Sequence, residues 1–174
     1  MYVSSSPILR IAYIKKTLKR KCKYIIRKMR DYSKVLKECY ENIIIPTTLV
    51  ATQLDINICI LENDGGYKAA SFNAATLALI MAGIPISDMV VASTAGMIDT
   101  RPTIDLISEE EKGRHKSLVN VCLSANHKSM AYIDMESKKL STEQMEALIK
   151  LNTKGCETIH GVMRLVLKEY IASS

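Results

Sequence analysis

Apolar positions along the chain change their period several times, and each change marks an element. Met29, Tyr32, Leu36, Cys39, Tyr40 and Ile43 recur at three- and four-residue steps, which predicts an amphipathic helix with its charges on the other face. Pro46 predicts its end. Leu54, Ile56, Ile58 and Ile60 then alternate with Asp55, Asn57 and Cys59, the pattern of a strand with one buried face. Asp64-Gly65-Gly66 reads as a turn. Residues 71–82 are apolar all round except at Ser71, Asn73 and Thr76, which predicts a deeply buried helix. Gly83 closes it, and Pro85 follows where proline often follows a helix end.

Downstream, Met89 to Ala95 is β-branched and small and reads as a strand. Leu118 to Leu123 and Met130 to Met135 predict two more, joined by the polar turn SANHKS. Ser141-Thr142-Glu143-Gln144 offers a capping box, with Ser141 as N-cap and Gln144 at the third helical position. Met145, Leu148, Ile149, Cys156, Ile159, Met163 and Val166 trace one face of a long terminal helix. Gly155 and Gly161 interrupt it at about 1 kcal/mol each against Ala. With no internal repeat, low-complexity segment or linker, one α+β domain is expected, an open sheet with helices packed on it.

Composition sharpens this picture. A chain of 174 residues suits one domain with a real core. With no Trp and a single Phe, that core has to be built from Leu, Ile, Val, Met and Ala. The net charge of +6 hides an asymmetry: residues 10–37 hold twelve of the 24 Lys and Arg and one acid, Asp31. That window nets +11, so the rest of the chain nets −5. Such a block attracts polyanions, nucleic acid or an anionic membrane surface, and its plain alternative is a solvated lysine-rich face. The acid-free, serine-containing first thirty residues also describe a mitochondrial transit peptide. No apolar stretch approaches the ~20 residues that span a bilayer, and no apolar core region follows the first bases as a secretory signal requires.

The five cysteines, Cys22, Cys39, Cys59, Cys122 and Cys156, are odd in number and lack short spacings. This argues against zinc and a disulfide framework, and for a reducing compartment. His115, His127 and His160 are scattered and form no metal pattern. No cofactor is expected, and a metal could be held only by carboxylates.

The segment QLDINICILENDGGYKAASFNAATLALIMAGIPISDMVVASTAGMID carries a more specific signal. Asp55-Ile56, Asp64-Gly65-Gly66, Asn73-Ala74-Ala75, Leu77-Ala78-Leu79, Ala82-Gly83-Ile84-Pro85, Asp88, Ala95-Gly96 and Asp99 stand in an order that resembles the RNase PH family, and within it the exosome core. The resemblance covers roughly residues 15–171. It implies an RNase PH-like (ribosomal protein S5 domain 2-like) fold over residues 15–174, with residues 1–14 a remnant of an N-terminal strand region. Family members carry several further strands before the part matched here, so the resemblance implies either a reduced chain or a start placed too late. A sheet shortened in this way leaves an open edge that a partner should cover.

In bacterial and archaeal relatives this domain shortens RNA from its 3′ end with phosphate as the attacking group. The phosphate cradle there is Gly-Gly, a small hydroxyl residue and Arg. Here Gly65 and Gly66 are followed by Tyr67 and Lys68. Tyrosine holds its hydroxyl far from the backbone, and lysine offers a point charge in place of a fork. The plain reading of the two glycines is turn geometry. The family's two catalytic aspartates, six residues apart after a DL…E signature, align with Glu111 and Ser117 behind Asp105-Leu106. One of the two charges that position Mg²⁺ beside a phosphate is therefore missing, unless Glu109 to Glu111 are simply an exposed acidic loop. The family's basic cluster falls on Lys19, Arg20 and Lys21, with Arg27 and Lys28 further on, and such contacts go to phosphates without reading sequence.

These matches imply a non-catalytic subunit of a six-membered RNA exosome ring that binds and channels RNA. Its expected partners are RNA, related ring subunits, cap subunits and an associated hydrolytic nuclease. Its expected places are nucleus, nucleolus and cytoplasm. The alternative is an active phosphate-dependent 3′-to-5′ exoribonuclease.

Overall fold

A computed structural model describes residues 3–4, 10–13, 22–45, 53–99, 101–111, 117–137 and 140–173. They fall into two compact units, one drawn from Met1–Ile60 with Gly83–Ser87, the other from Leu61–Ala82 with Asp88–Ser174.

In the first unit, strands β1 (Val3–Ser4) and β2 (Arg10–Tyr13) flank β3 (Gln53–Ile58). β1 pairs antiparallel through Val3↔Leu54, and β2 pairs parallel from Arg10↔Asp55 to Tyr13↔Ile58. Leu54 and Ile56 are buried, as the alternation predicts. Helix α1 (Cys22–Ile43) begins seven residues ahead of the predicted apolar face. It buries Tyr32, Leu36 and Tyr40 at four-residue steps, one stripe of a 3.6-residue period. The helix stops at Ile43, and Pro46, expected to end it, lies outside the described residues. The chain returns at 83–87, where the Ser87 N–H donates to Ile43 O at 2.8 Å and the Ile45 N–H donates to Pro85 O at 3.1 Å.

The second unit is an antiparallel sheet in the order β5-β4-β6-β7, with β4 Val90–Ile98, β5 Arg101–Ile104, β6 Ser117–Ser124 and β7 Ser129–Ser137. Helices α2 (Tyr67–Met81) and α4 (Thr142–Ser173) pack on it, and a single turn of helix, α3, covers Ser108–Glu111. β4 runs three residues past its predicted end, because Gly96, Met97 and Ile98 pair with β5, a strand that no alternation announced. The 6–7 hairpin follows its prediction, with a register shift between Cys122 and Leu123.

Helix α4 lies over Val91, Ala95, Val119, Val121 and Leu123 with Leu148, Cys156 and Met163. Its capping box forms as expected: the Gln144 N–H donates to Ser141 Oγ at 3.2 Å, and the Ser141 N–H donates to Gln144 Oε1 at 3.1 Å. Val166, expected inward, is 50% exposed, and Leu167 takes the inner position because the face advances by four residues from Met163. Gly155 is required by contact: a Cβ there would meet Ser93 Oγ at 2.6 Å and Ile104 Cδ1 at 2.3 Å. Gly161 meets nothing within 4 Å. Burial pushes the Cys156 thiol up to about 12, with Glu157 adding to the shift, so it is inert as a nucleophile.

Helix α2 corrects its expected burial. Ala70, Ala74, Ala78 and Met81 form an exposed stripe, since small apolar residues are common on surfaces. Asn73 and Thr76 serve the edge of β4 that β5 leaves open. Asn73 Nδ2 donates to Ala92 O at 2.9 Å, and the Ala92 N–H donates to Asn73 Oδ1 at 2.8 Å. Thr76 Oγ1 donates to Val90 O at 2.7 Å.

Asp88, just before β4, is buried and accepts bonds from Ser124 Oγ and from the N–H groups of Met89, Asn126 and His127. Burial pushes its carboxyl up, yet these bonds outweigh burial and hold it below the usual carboxylate range. A lowered folded pKa contributes stability above the unfolded value near 3.9, lost as pH falls through the folded value. Asp88→Asn is therefore expected to lower Tm at pH 7 by roughly 4–8 °C, for about 2 kcal/mol of charge-assisted bonding. Thermal melts from pH 2 to 7 should show the wild type approaching the variant as acid is added; parallel curves would discredit the assignment.

Candidate functional site

The Asp64-Gly65-Gly66 turn leads into α2 with both glycines at positive φ, 113° for Gly65 and 60° for Gly66. Only at Gly65 is space also lacking: a Cβ there would sit 2.0 Å from Leu106 O. The loop after β5 thus lies directly on the turn. Two carboxylates bind them together: the Gly66 N–H donates to Glu111 Oε1 at 2.9 Å, and the Ser108 N–H donates to Asp64 Oδ1 at 3.3 Å. The Gly65 N–H donates to Asn63 Oδ1 at 3.1 Å, and the Ile107 N–H to Glu110 Oε2 at 2.9 Å. The three glutamates therefore form one helical turn, with Glu109 and Glu110 exposed and Glu111 half-buried.

Lys68, in the first turn of α2, reaches β7. Its ammonium donates to Asp134 Oδ2 and, at 3.2 Å, to Glu136 Oε1. Burial alone would lower the Lys68 pKa, but Asp134, Tyr67 and Glu136 outweigh it and hold the group above its ordinary value. Ser117 opens β6 buried, with its hydroxyl 2.9 Å from that of Ser137.

The structure thus brings Gly65, Gly66 and Glu111 together, directs Lys68 away to β7, and buries Ser117 beside a second hydroxyl. An anion arriving at the Gly66 amide would meet a carboxylate already there, a repulsive neighbour in a part-buried setting. Asp134 and Glu136, which engage Lys68, were not singled out from the sequence, although their two-residue spacing puts both on one face of a strand. Lys19, Arg20 and Lys21 lie outside the described residues. Arg27 and Lys28 lie on α1, whose backbone alone is described there. Among the described residues, no group of three His, Cys, Asp or Glu side chains could hold a metal ion. No described helix is long and apolar enough to cross a membrane.

Comparison with known proteins bears on this geometry. Residues 10–85 match the 3′ exoribonuclease family, domain 1. The chain is similar to the exosome complex component RRP41 homolog of Arabidopsis thaliana, 33% identical over 144 residues, 82% of this chain and 58% of the relative. It is similar to exosome complex component ski6 of Schizosaccharomyces pombe, 31% identical over 134 residues, 77% of this chain and 54% of the relative. It is also similar to exosome complex component Rrp41 of Pyrococcus abyssi, 33% identical over 143 residues, 82% of this chain and 57% of the relative. The chain thus spans between 54% and 58% of the length of these curated relatives. Its fold matches the crystal structure of rice Rrp46 with a TM-score of 0.79 at 19% identity, covering 95% of this chain and 81% of that one. It also matches a chain of an archaeal exosome core with a TM-score of 0.67 at 11% identity, covering 94% and 74%.

Proposed function

The chain belongs to the RNase PH family, and on that premise we propose that it is a non-catalytic subunit of an RNA exosome core ring. In this reading it binds RNA through phosphates at Lys19, Arg20, Lys21, Arg27 and Lys28 and passes it on for 3′-to-5′ processing and degradation. Its partners are related ring subunits, cap subunits and an attached hydrolytic nuclease, in nucleus, nucleolus and cytoplasm.

One observation carries the non-catalytic part. The Glu111 carboxylate accepts the Gly66 N–H, where a phosphate cradle has to present that donor to its anion. The two neighbouring changes work in the same direction. Lys68 spends its charge on Asp134 and Glu136, and Ser117 supplies no carboxylate for a divalent cation.

The test is to purify the native complex through this chain and supply a 3′-tailed RNA with Mg²⁺, with and without inorganic phosphate. No phosphate-dependent nucleoside diphosphates are expected, and any monophosphates trace to a co-purifying hydrolase. Nucleoside diphosphates that vanish with Glu111→Ala would establish the second reading, an active phosphorolytic exoribonuclease. What favours it is that Glu111 keeps an acid at the position of one catalytic aspartate of the family.

A further inference from the structure

We propose that the outward face of α1 is a second phosphate track for single-stranded RNA, separate from the Lys19-Arg20-Lys21 cluster. The proposal rests on the RNA-binding reading above and says where a further stretch of that RNA lies.

The observation is a register. Lys23, Arg27, Arg30, Lys34 and Lys37 follow one another at steps of four, three, four and three residues, all within α1. At 3.6 residues per turn these five positions share an arc of about 80° and run for about 21 Å along the axis. Lys28, the one other cation of the helix, lies off this arc. Arg30 and Lys34 are exposed, and the Lys37 side chain is 39% exposed. Tyr32, Leu36 and Tyr40 are buried on the opposite side, at 7%, 2% and 0% exposure. The helix is thus oriented by its core, with Arg30, Lys34 and Lys37 directed outward.

That orientation selects the partner. A basic helix that lies in a membrane interface has to sink an apolar face among the lipids. Here Tyr32, Leu36 and Tyr40 on the apolar face of α1 are already buried. What remains is a row of cations one helical turn apart, which fits the repeating charge of a nucleic-acid backbone. Asp31 and Glu38 sit at one margin of the row, and Glu41 ends it, 3.5 Å from Lys37.

The experiment is fluorescence anisotropy with a labelled oligouridine across a salt series, using the full chain. Arg30→Gln, Lys34→Gln and Lys37→Gln are combined in one variant, since glutamine keeps the helix. Removing three single-strand phosphate contacts is expected to lower the slope of log K against log salt by about 2, and the affinity at 0.1 M salt about a hundredfold. The control variant, Lys150→Gln with Lys154→Gln and Lys168→Gln on exposed positions of α4, removes the same charge and is expected to behave as wild type. If both variants lose affinity equally, net charge alone is at work and the track is refuted. If only Lys19→Ala with Arg20→Ala and Lys21→Ala loses binding, the track is refuted while the RNA-binding reading stands. A wild type without salt-sensitive RNA binding overturns both. Binding of phosphatidylserine vesicles that depends on the stripe, with RNA binding unchanged, would assign the face to membranes and refute the track.

Discussion

Gly65→Ala is expected to cost about 4 kcal/mol, the sum of left-handed backbone strain and a forced shift of packed neighbours. Gly66→Ala, one residue on, is expected to cost only about 1 kcal/mol, from strain alone. Both residues have positive φ, but only Gly66, at 60°, lies in the left-handed region that alanine can enter, and Gly65, at 113°, lies beyond it. Surroundings widen the gap. The added Cβ at Gly65 meets a backbone oxygen, Leu106 O, at 2.0 Å, while at Gly66 nothing lies within 4 Å. A carbonyl in the loop cannot rotate away as a side chain can. The segment from Leu106 to Ile107 has to move, and α3 moves with it. That motion pulls Glu111 off the Gly66 amide and Ser108 off Asp64, the two bonds that join turn and loop. Urea denaturation measures the two costs, and amide exchange at Gly66 and Ser108 shows whether the latch opened. Equal costs at the two glycines would mean that the turn tolerates its loop being displaced, and that Glu111 is not held there by close packing.

Much of this architecture can be read locally. The alternation of Leu54 and Ile56, the hairpin across 124–129 and the Ser141–Gln144 box all rest on neighbours a few residues apart, where period and capping chemistry speak directly. β5 has no such signal: it is four residues long, contains Pro102 and is mostly exposed. Helix α2 begins four residues ahead of its apolar run because Tyr67 and Lys68 form its first turn. The candidate site divides in the same way. Gly65 and Gly66 announce a turn, but the partners that define its chemistry are distant in sequence. Glu111 is 45 residues from Gly66, and Asp134 is 66 from Lys68. No window of local periodicity joins them; the sheet does, by bringing β7 and the loop after β5 to the start of α2.

Asn73→Leu is the other large expected effect, again about 4 kcal/mol, from two buried backbone groups left without partners at about 1–3 kcal/mol each. β5 pairs with β4 only from Ala95 to Ile98. On that same edge Val90, Ala92 and Thr94 point the other way from β6, and each finds a different substitute. Thr94 O accepts the Asp105 N–H at 3.2 Å, and Val90 O accepts Thr76 Oγ1. Ala92 has both its N–H and its C=O taken by the single Asn73 amide. An amide is the one side-chain group that offers a donor and an acceptor side by side, as a neighbouring strand would. Leucine keeps the volume and loses both bonds, and Ala92, 1% exposed, has no water to replace them. Thr76→Val removes one bond to Val90 O and is expected to cost about 1.5 kcal/mol, within the range for one unpaired buried acceptor. Urea denaturation of both variants gives the comparison, and exchange at the Ala92 amide should accelerate only in Asn73→Leu. A cost below that of Thr76→Val would mean that α2 is held by its apolar contacts alone. Its polar residues would then have no part in closing the edge of β4.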